Sequence, residues 1–170
     1  INTSFRTSHI VDDIDQNVAN FLSELDYATT DRNELDVKLD YALESDSVFS
    51  AGLLMAKEEV DALSYGTLID ETTEIDETYL LYHSQVGSHN YALSYRQTDH
   101  EDFGKHDTWN MDYQYQLDPG VSLYTGFGTA FRSPDHTDRF GSLGNPELKP
   151  ETSKNLELAL IFNFSQDSRF

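Results

Sequence analysis

The sequence predicts an all-β protein: an antiparallel, up-and-down run of about eight strands of the kind that crosses a membrane as a β-barrel segment. Three observations carry this. Apolar and polar residues alternate with a period of two over most of the chain. Short and long connections alternate between the alternating stretches. No run approaches the roughly 18 apolar residues of a membrane helix, and no helix is required anywhere.

Strands are predicted over 2–10, 28–43, 48–60, 78–87, 90–98, 107–117, 121–131 and 152–164. In Glu34–Glu44, Leu35, Val37, Leu39, Tyr41 and Leu43 oppose Glu34, Asp36, Lys38, Asp40, Ala42 and Glu44. Tyr91, Leu93 and Tyr95 oppose Asn90, Ala92, Ser94 and Arg96. Over Asp107–Leu117, Trp109, Met111, Tyr113, Tyr115 and Leu117 share one face, with Asn110, Asp112, Gln114 and Gln116 on the other. In Val121–Phe131 the second face is small, with Ser122, Gly126, Gly128 and Ala130 beside Tyr124. The last strand sets Leu156, Leu158, Leu160, Phe162 and Phe164 against Asn155, Glu157, Ala159, Ile161 and Asn163.

Glu44–Ser47, Val86–Asn90 and Leu117–Val121 have the small, turn-forming residues of tight hairpins. The longer connections are expected over Val11–Tyr27, Asp61–Asp76, Asp99–His106 and Arg132–Pro150. Short turns on one side and long loops on the other are what a transmembrane barrel produces. Aromatics near strand ends (Tyr41, Tyr115, Phe131, Phe164) suit its interfacial girdles. A soluble meander with its apolar face on a core would give the same period.

The chain has 31 acidic against 11 basic side chains, a formal charge of −20. Phosphate contacts need Lys and Arg, so no nucleic-acid partner is expected. With no cysteine, disulfides and thiolate metal sites are excluded. The first residues show no charged and then apolar leader, so no signal peptide is expected within the sequence.

The stretch Phe131–Ser153 holds three of the four prolines. Pro134 and Pro146 fix φ and stop the ladder, Gly144–Asn145–Pro146 suits a turn, and Pro150 biases Lys149 to extended geometry. GTAFRSP followed by GNPELKPETS resembles a motif of TonB-dependent outer-membrane receptors. The matching residues are Gly128, Phe131, Arg132, Ser133 and Pro134, then Gly144, Asn145, Pro146, Leu148, Lys149, Pro150, Glu151, Ser153 and Glu157. Upstream, Phe103, Gly104, His106, Thr108 and Trp109 are similar to the corrinoid (cobalamin) transporters of that family. The two matches cover about half of the chain, Tyr79 to Phe164; the first seventy residues agree in strand rhythm alone.

The resemblance implies a barrel of about 22 strands around an N-terminal plug, in the outer membrane of a Gram-negative bacterium. It implies binding of a scarce nutrient such as cobalamin at external loops, and uptake driven by the TonB energy-coupling complex acting on the plug. Residues 1–170 would then be a partial receptor barrel domain, in contact with outer-membrane lipid, with the plug domain absent. Rival readings are a passive porin-like channel, a soluble acidic β-sheet ligand-binding protein, and an eight-stranded barrel closed by pairing 2–10 with 152–164.

Candidate ligand-binding residues at the barrel mouth are Arg132, Ser133, Asp135, Arg139 and Phe140. The same residues would serve equally to shape the loop. Asp12, Asp13, Asp15 and Asp26, with Glu24, offer oxygens for calcium, and corrinoid members order external loops with that ion. Their spacing matches no EF-hand, and solvated acid explains them as well. Asp99, His100, Glu101, Asp102 and His106 make a second polar loop with no paired metal spacing. No resident cofactor is expected. Neither Gly-x-Ser-x-Gly nor His-Glu-x-x-His occurs, and Asp36, Asp40, Asp112 and Glu157 are explained by a solvated lumen, so no enzyme is expected.

Overall fold

The structure, a computed structural model, describes residues 1–16, 26–44 and 46–163. Eight strands run in chain order: β1 (Asn2–Gln16), β2 (Asp26–Glu44), β3 (Ser47–Ser64), β4 (Thr67–Val86), β5 (His89–His100), β6 (Gly104–Asp118), β7 (Val121–Arg132) and β8 (Glu151–Phe162). All pair antiparallel with their sequence neighbours in one sheet. The register pairs β1 with β2 and β8 with β7, and no β1–β8 pairing joins the outer strands, so the described residues form an open wall and not a closed eight-stranded barrel.

The two faces of this wall are inverted relative to a soluble sheet. On β3, Phe49, Leu53 and Met55 lie on the exposed face, while Ser50 and Gly52 are buried on the other. Ser50, Thr98 and Ser122 are at most 8% exposed, yet Leu156 and Leu158 are 76% exposed and Trp109 40%. Apolar residues out and polar residues in is the arrangement for lipid outside and water inside. The soluble reading needs the Trp109 face covered, and nothing among the described residues covers it.

Cross-strand register gathers the outer apolar residues into a continuous band. Leu35, Val37, Leu39 and Tyr41 of β2 oppose Met55, Leu53, Ala51 and Phe49 of β3. Tyr91, Leu93 and Tyr95 of β5 oppose Tyr113, Met111 and Trp109 of β6. The six-residue step from Phe49 to Met55 spans roughly 20 Å at about 3.3 Å per residue. Just past it the outer face turns charged: Lys57 and Glu59 on β3, Glu74 and Asp76 on β4, Asp99 on β5, Lys105 and Asp107 on β6, and Lys154 on β8. At the other end, His89 stacks against Tyr91, Tyr113 and Tyr115, forming an interfacial aromatic cluster.

Three expected loops are shorter than the sequence suggested. β1 runs on to Gln16 and β2 begins at Asp26; Glu24 lies outside the described residues, as does Phe164, and β8 ends at Phe162. The stretch Asp61–Asp76 is strand on both sides of a two-residue turn, Tyr65–Gly66, with φ of 48° and 83°. Both residues having positive φ is the twist-matched hairpin turn, which Gly adopts freely and Tyr at a cost. β5 and β6 extend to His100 and from Gly104, leaving only Glu101–Phe103 between them. The Arg132–Pro150 loop carries a short helix, α1 (His136–Phe140), where no helix was expected.

Candidate functional site

Polar pairs, part-buried and exposed, line the inner face. Tyr79 donates to Asp36 at 2.7 Å, and Arg6 reaches the same carboxylate at 3.4 Å. Arg32 bridges Glu34 at 2.6 Å and Glu58 at 3.1 Å, and Arg96 pairs with Glu77 at 3.1 Å. Tyr124 donates to Asp112 at 2.5 Å, and Ser50 to Asp40 at 2.5 Å. Asp36, Asp40 and Asp112 thus hold the wall together. Glycines make room for these side chains: an added Cβ at Gly52 would lie 2.2 Å from the Tyr79 ring, and one at Gly128 would lie 2.1 Å from Asn110 Oδ1.

At the loop end the connection from β7 to β8 does not stand clear of the wall. It folds back across the inner face as far as β2–β4. Asp135 caps α1, accepting from the Thr137 backbone N–H at 2.6 Å. Phe140 and Ala28 pack on the buried cluster Val60, Ala62 and Ile69. His136 Nε2 meets Thr73 Oγ1 at 3.2 Å and lies 4.0 Å from Glu58. The Arg139 guanidinium pairs with Asp102 and sits 4.8 Å from the Phe103 ring centroid and 4.5 Å from that of Phe140.

The GNPELKPETS segment closes this fold. Gly144 packs so tightly on α1 that a Cβ would lie 2.7 Å from the Arg139 carbonyl carbon and oxygen. Asn145 donates its N–H to the Asp138 carbonyl at 2.9 Å and accepts from the Glu147 N–H on its side chain at 3.0 Å. The Leu148 N–H closes a turn onto the Asn145 carbonyl at 3.1 Å, with Pro146 inside it. Lys149 and Pro150 lead into β8, where Glu151 opposes Arg132 and Ser153 opposes Ala130.

Between α1 and the wall is a cavity of about 380 Å³. Of the five residues predicted for ligand contact, Arg132, Ser133, Asp135 and Arg139 line it. Arg139 is 11% exposed and engaged with Asp102, and Phe140 is committed to the apolar cluster. Arg132 is exposed and faces the lumen. The sequence reading did not single out Arg32, Glu58, Thr73 and His136, which share the cavity. Arg32 and Glu58 fell in predicted strands as ordinary lumen charges, Thr73 in an expected loop, and His136 on a helix that was not expected.

The acidic residues proposed for calcium are dispersed. Asp12 lies on the inner face; Asp13 and Asp15 alternate onto the outer one. Asp26 is buried and accepts the Tyr65 N–H on its two oxygens at 3.0 and 3.1 Å, anchoring the β3–β4 turn. Among the described residues no three His, Asp or Glu side chains gather closely enough to hold a metal ion, including those of the second polar loop.

Residues 2–170 match the family model described as "TonB dependent receptor-like, beta-barrel". Over 130 residues the chain is 30% identical to a vitamin B12 transporter of Vibrio vulnificus, covering 74% of this chain and 21% of that protein. It superposes on the siderophore receptor PirA of Pseudomonas aeruginosa with a TM-score of 0.71 at 20% identity, covering 82% of this chain. PirA of Acinetobacter baumannii gives a TM-score of 0.65 at 17% identity over 95% of this chain. Those two likenesses speak for the fold. The chain spans 30% of each solved receptor and about a fifth of the curated relative.

Proposed function

The chain belongs to the TonB-dependent receptor β-barrel family and lies in the outer membrane of a Gram-negative bacterium, and on that premise we propose that it is the wall and one external loop of a nutrient importer. The observation that carries this is the inverted sheet: a lipid-facing apolar band around a polar, ion-paired lumen wall. The loop end with α1 is the extracellular end, since long connections face outward in such barrels. The nutrient binds there without covalent chemistry, against the lumen-facing Arg132, Ser133 and Asp135. Import is driven by the TonB complex through a plug domain, and no cofactor is consumed.

The proposed nutrient is a corrinoid. The similarity to a vitamin B12 transporter supports it, together with the Phe103–Trp109 segment; the siderophore-receptor likeness is at too low an identity to speak for ligand. The test is equilibrium binding of cyanocobalamin and of ferric siderophores to the full-length receptor, with and without calcium. Uptake is measured in parallel in cells lacking the energy-coupling partner. The expected result is saturable corrinoid binding and loss of uptake in those cells. Binding of a ferric siderophore alone would replace the substrate, and undiminished uptake would make the protein a passive channel.

A further inference from the structure

We propose that α1 and the connection carrying it form an acid-released cover over the extracellular end of the lumen, with His100 beneath it taking up the proton. The proposal does not depend on which nutrient is carried.

The cover is a built contact. α1 leaves β7, crosses the inner face past β6 and β5, and reaches β4, β3 and Ala28 of β2. Four interactions hold it down: Phe140 on Val60, Ala62 and Ile69, Arg139 with Asp102, the same guanidinium over Phe103, and His136 with Thr73. Two features make it releasable. The Nδ1 of His136 and Nε of Arg139 are buried with no hydrogen-bond partner among the described residues, so docking leaves two polar groups desolvated and uncompensated. Pro134 precedes α1, and Gly141 and Gly144 follow it, so the segment is bounded by turns and can move as a unit.

His100 lies beneath this cover at the end of β5 and is 6% exposed. Its ring packs against Phe103 at 4.9 Å, and its Nδ1 accepts the Asp102 N–H at 3.3 Å. That bond lies within the β5–β6 turn and makes Nδ1 an acceptor, so the imidazole beneath the cover is neutral in this structure. The charges around it are Asp102 on its own hairpin, Arg139 and His136 on α1, and Glu58 on β3. Arg32 of β2, Arg132 of β7, Asp135 of the loop and Asp12 of β1 line the same cavity. Burial is the main cause holding the imidazole below its ordinary 6.5; Asp102 and Glu58 oppose that, and Arg139 and His136 reinforce it.

The sign follows from proton linkage. A histidine that resists protonation when docked favours docking wherever the released imidazole is neutral, above about pH 6.5. As pH falls below that value the released form takes up a proton that the docked form refuses, and the cover opens. Each pH unit in this window moves the equilibrium by at most about tenfold.

The chain has no cysteine; with any cysteine elsewhere in the full-length receptor replaced by serine, Leu143→Cys on the loop and Leu68→Cys near the β3–β4 turn, both highly exposed, take a spin-label pair. The inter-label distance is measured in the full-length receptor in lipid vesicles from pH 8 to pH 5. One short distance is expected at pH 8, with a longer population that grows at least about threefold below pH 6.5. His100→Gln should remove the pH dependence, and His136→Gln should keep it. Arg139→Gln should raise the long population at every pH. His100→Asn replaces His100→Gln should the latter not assemble, as judged by heat-dependent gel migration. An unchanged distance from pH 8 to pH 5, or a pH response that survives His100→Gln or disappears with His136→Gln, would overturn the proposal.

Discussion

Leu53→Arg lowers the stability of the membrane-inserted receptor by about 2–4 kcal/mol, the cost of a cation on the lipid face near the bilayer midplane. Leu53 is 51% exposed on the outer face of β3, between Phe49 and Met55. In a soluble protein such a residue would accept Arg at almost no cost. The control is one residue on. Leu54 faces inward and opposes Asp36 across β2–β3, so Leu54→Arg places its charge in the lumen beside a carboxylate. Its cost is expected to be under half that of Leu53→Arg. Equilibrium urea unfolding from lipid vesicles measures both. A neutral Leu53→Arg with a costly Leu54→Arg would mean that the faces are assigned the wrong way round.

Gly52→Val is the second large effect. Any Cβ at this position would lie 2.2 Å from Tyr79 Cζ and 2.4 Å from its hydroxyl oxygen. Tyr79 is 8% exposed and donates to Asp36 at 2.7 Å, so the ring has no free direction in which to retreat without giving up that bond. Overpacking costs about 1–3 kcal/mol, and a hydrogen bond to a charged acceptor contributes about 1.5–3 kcal/mol. The combined loss is expected near 3–5 kcal/mol. Tyr79→Phe should show only the second part. The double variant Gly52→Val with Tyr79→Ala should recover part of the overpacking loss, a coupling that appears only for residues in contact. Wild-type stability for Gly52→Val, read as the temperature of the gel-migration shift, would mean that the ring does not pack there.

The strands within the membrane band were legible because lipid outside and water inside impose a strict two-residue period. The same strands past the band were missed for a physical reason. On β3 the outward positions are apolar from Phe49 through Met55 and charged from Lys57 through Asp61, while the inward Ala56, Val60 and Ala62 are apolar and buried. The outer face turns polar where it leaves the lipid, and the inner face turns apolar where α1 covers it. The apolar face thus changes sides along one strand, so the stretch reads as irregular. Tyr65 also hid the turn, since Tyr at positive φ is no turn signal.

The loop was legible in part. Gly144, Asn145 and Pro146 announced a folded turn, and Gly144 is now explained by its close approach to Arg139. What sequence could not supply was the partner surface. Nothing local links Arg139 to Asp102, or His136 to Thr73, across 37 and 63 residues of chain. Only the sheet order brings them together. Arg139 and Phe140, expected to meet a ligand, hold the loop against the wall in this structure, while Arg132 remains open to the lumen.

The central claim is that the Trp109 face touches lipid. Trp109 lies edge-on to Phe127, at 5.1 Å, near the upper limit of the apolar band. Its fluorescence is isolated as the difference between the native full-length receptor and its Trp109→Phe variant in vesicles. Lipids brominated along the acyl chain should quench this signal strongly, while iodide in the aqueous phase should leave it almost unchanged. Quenching by iodide with none by the brominated chains would place that face in water and contradict the account.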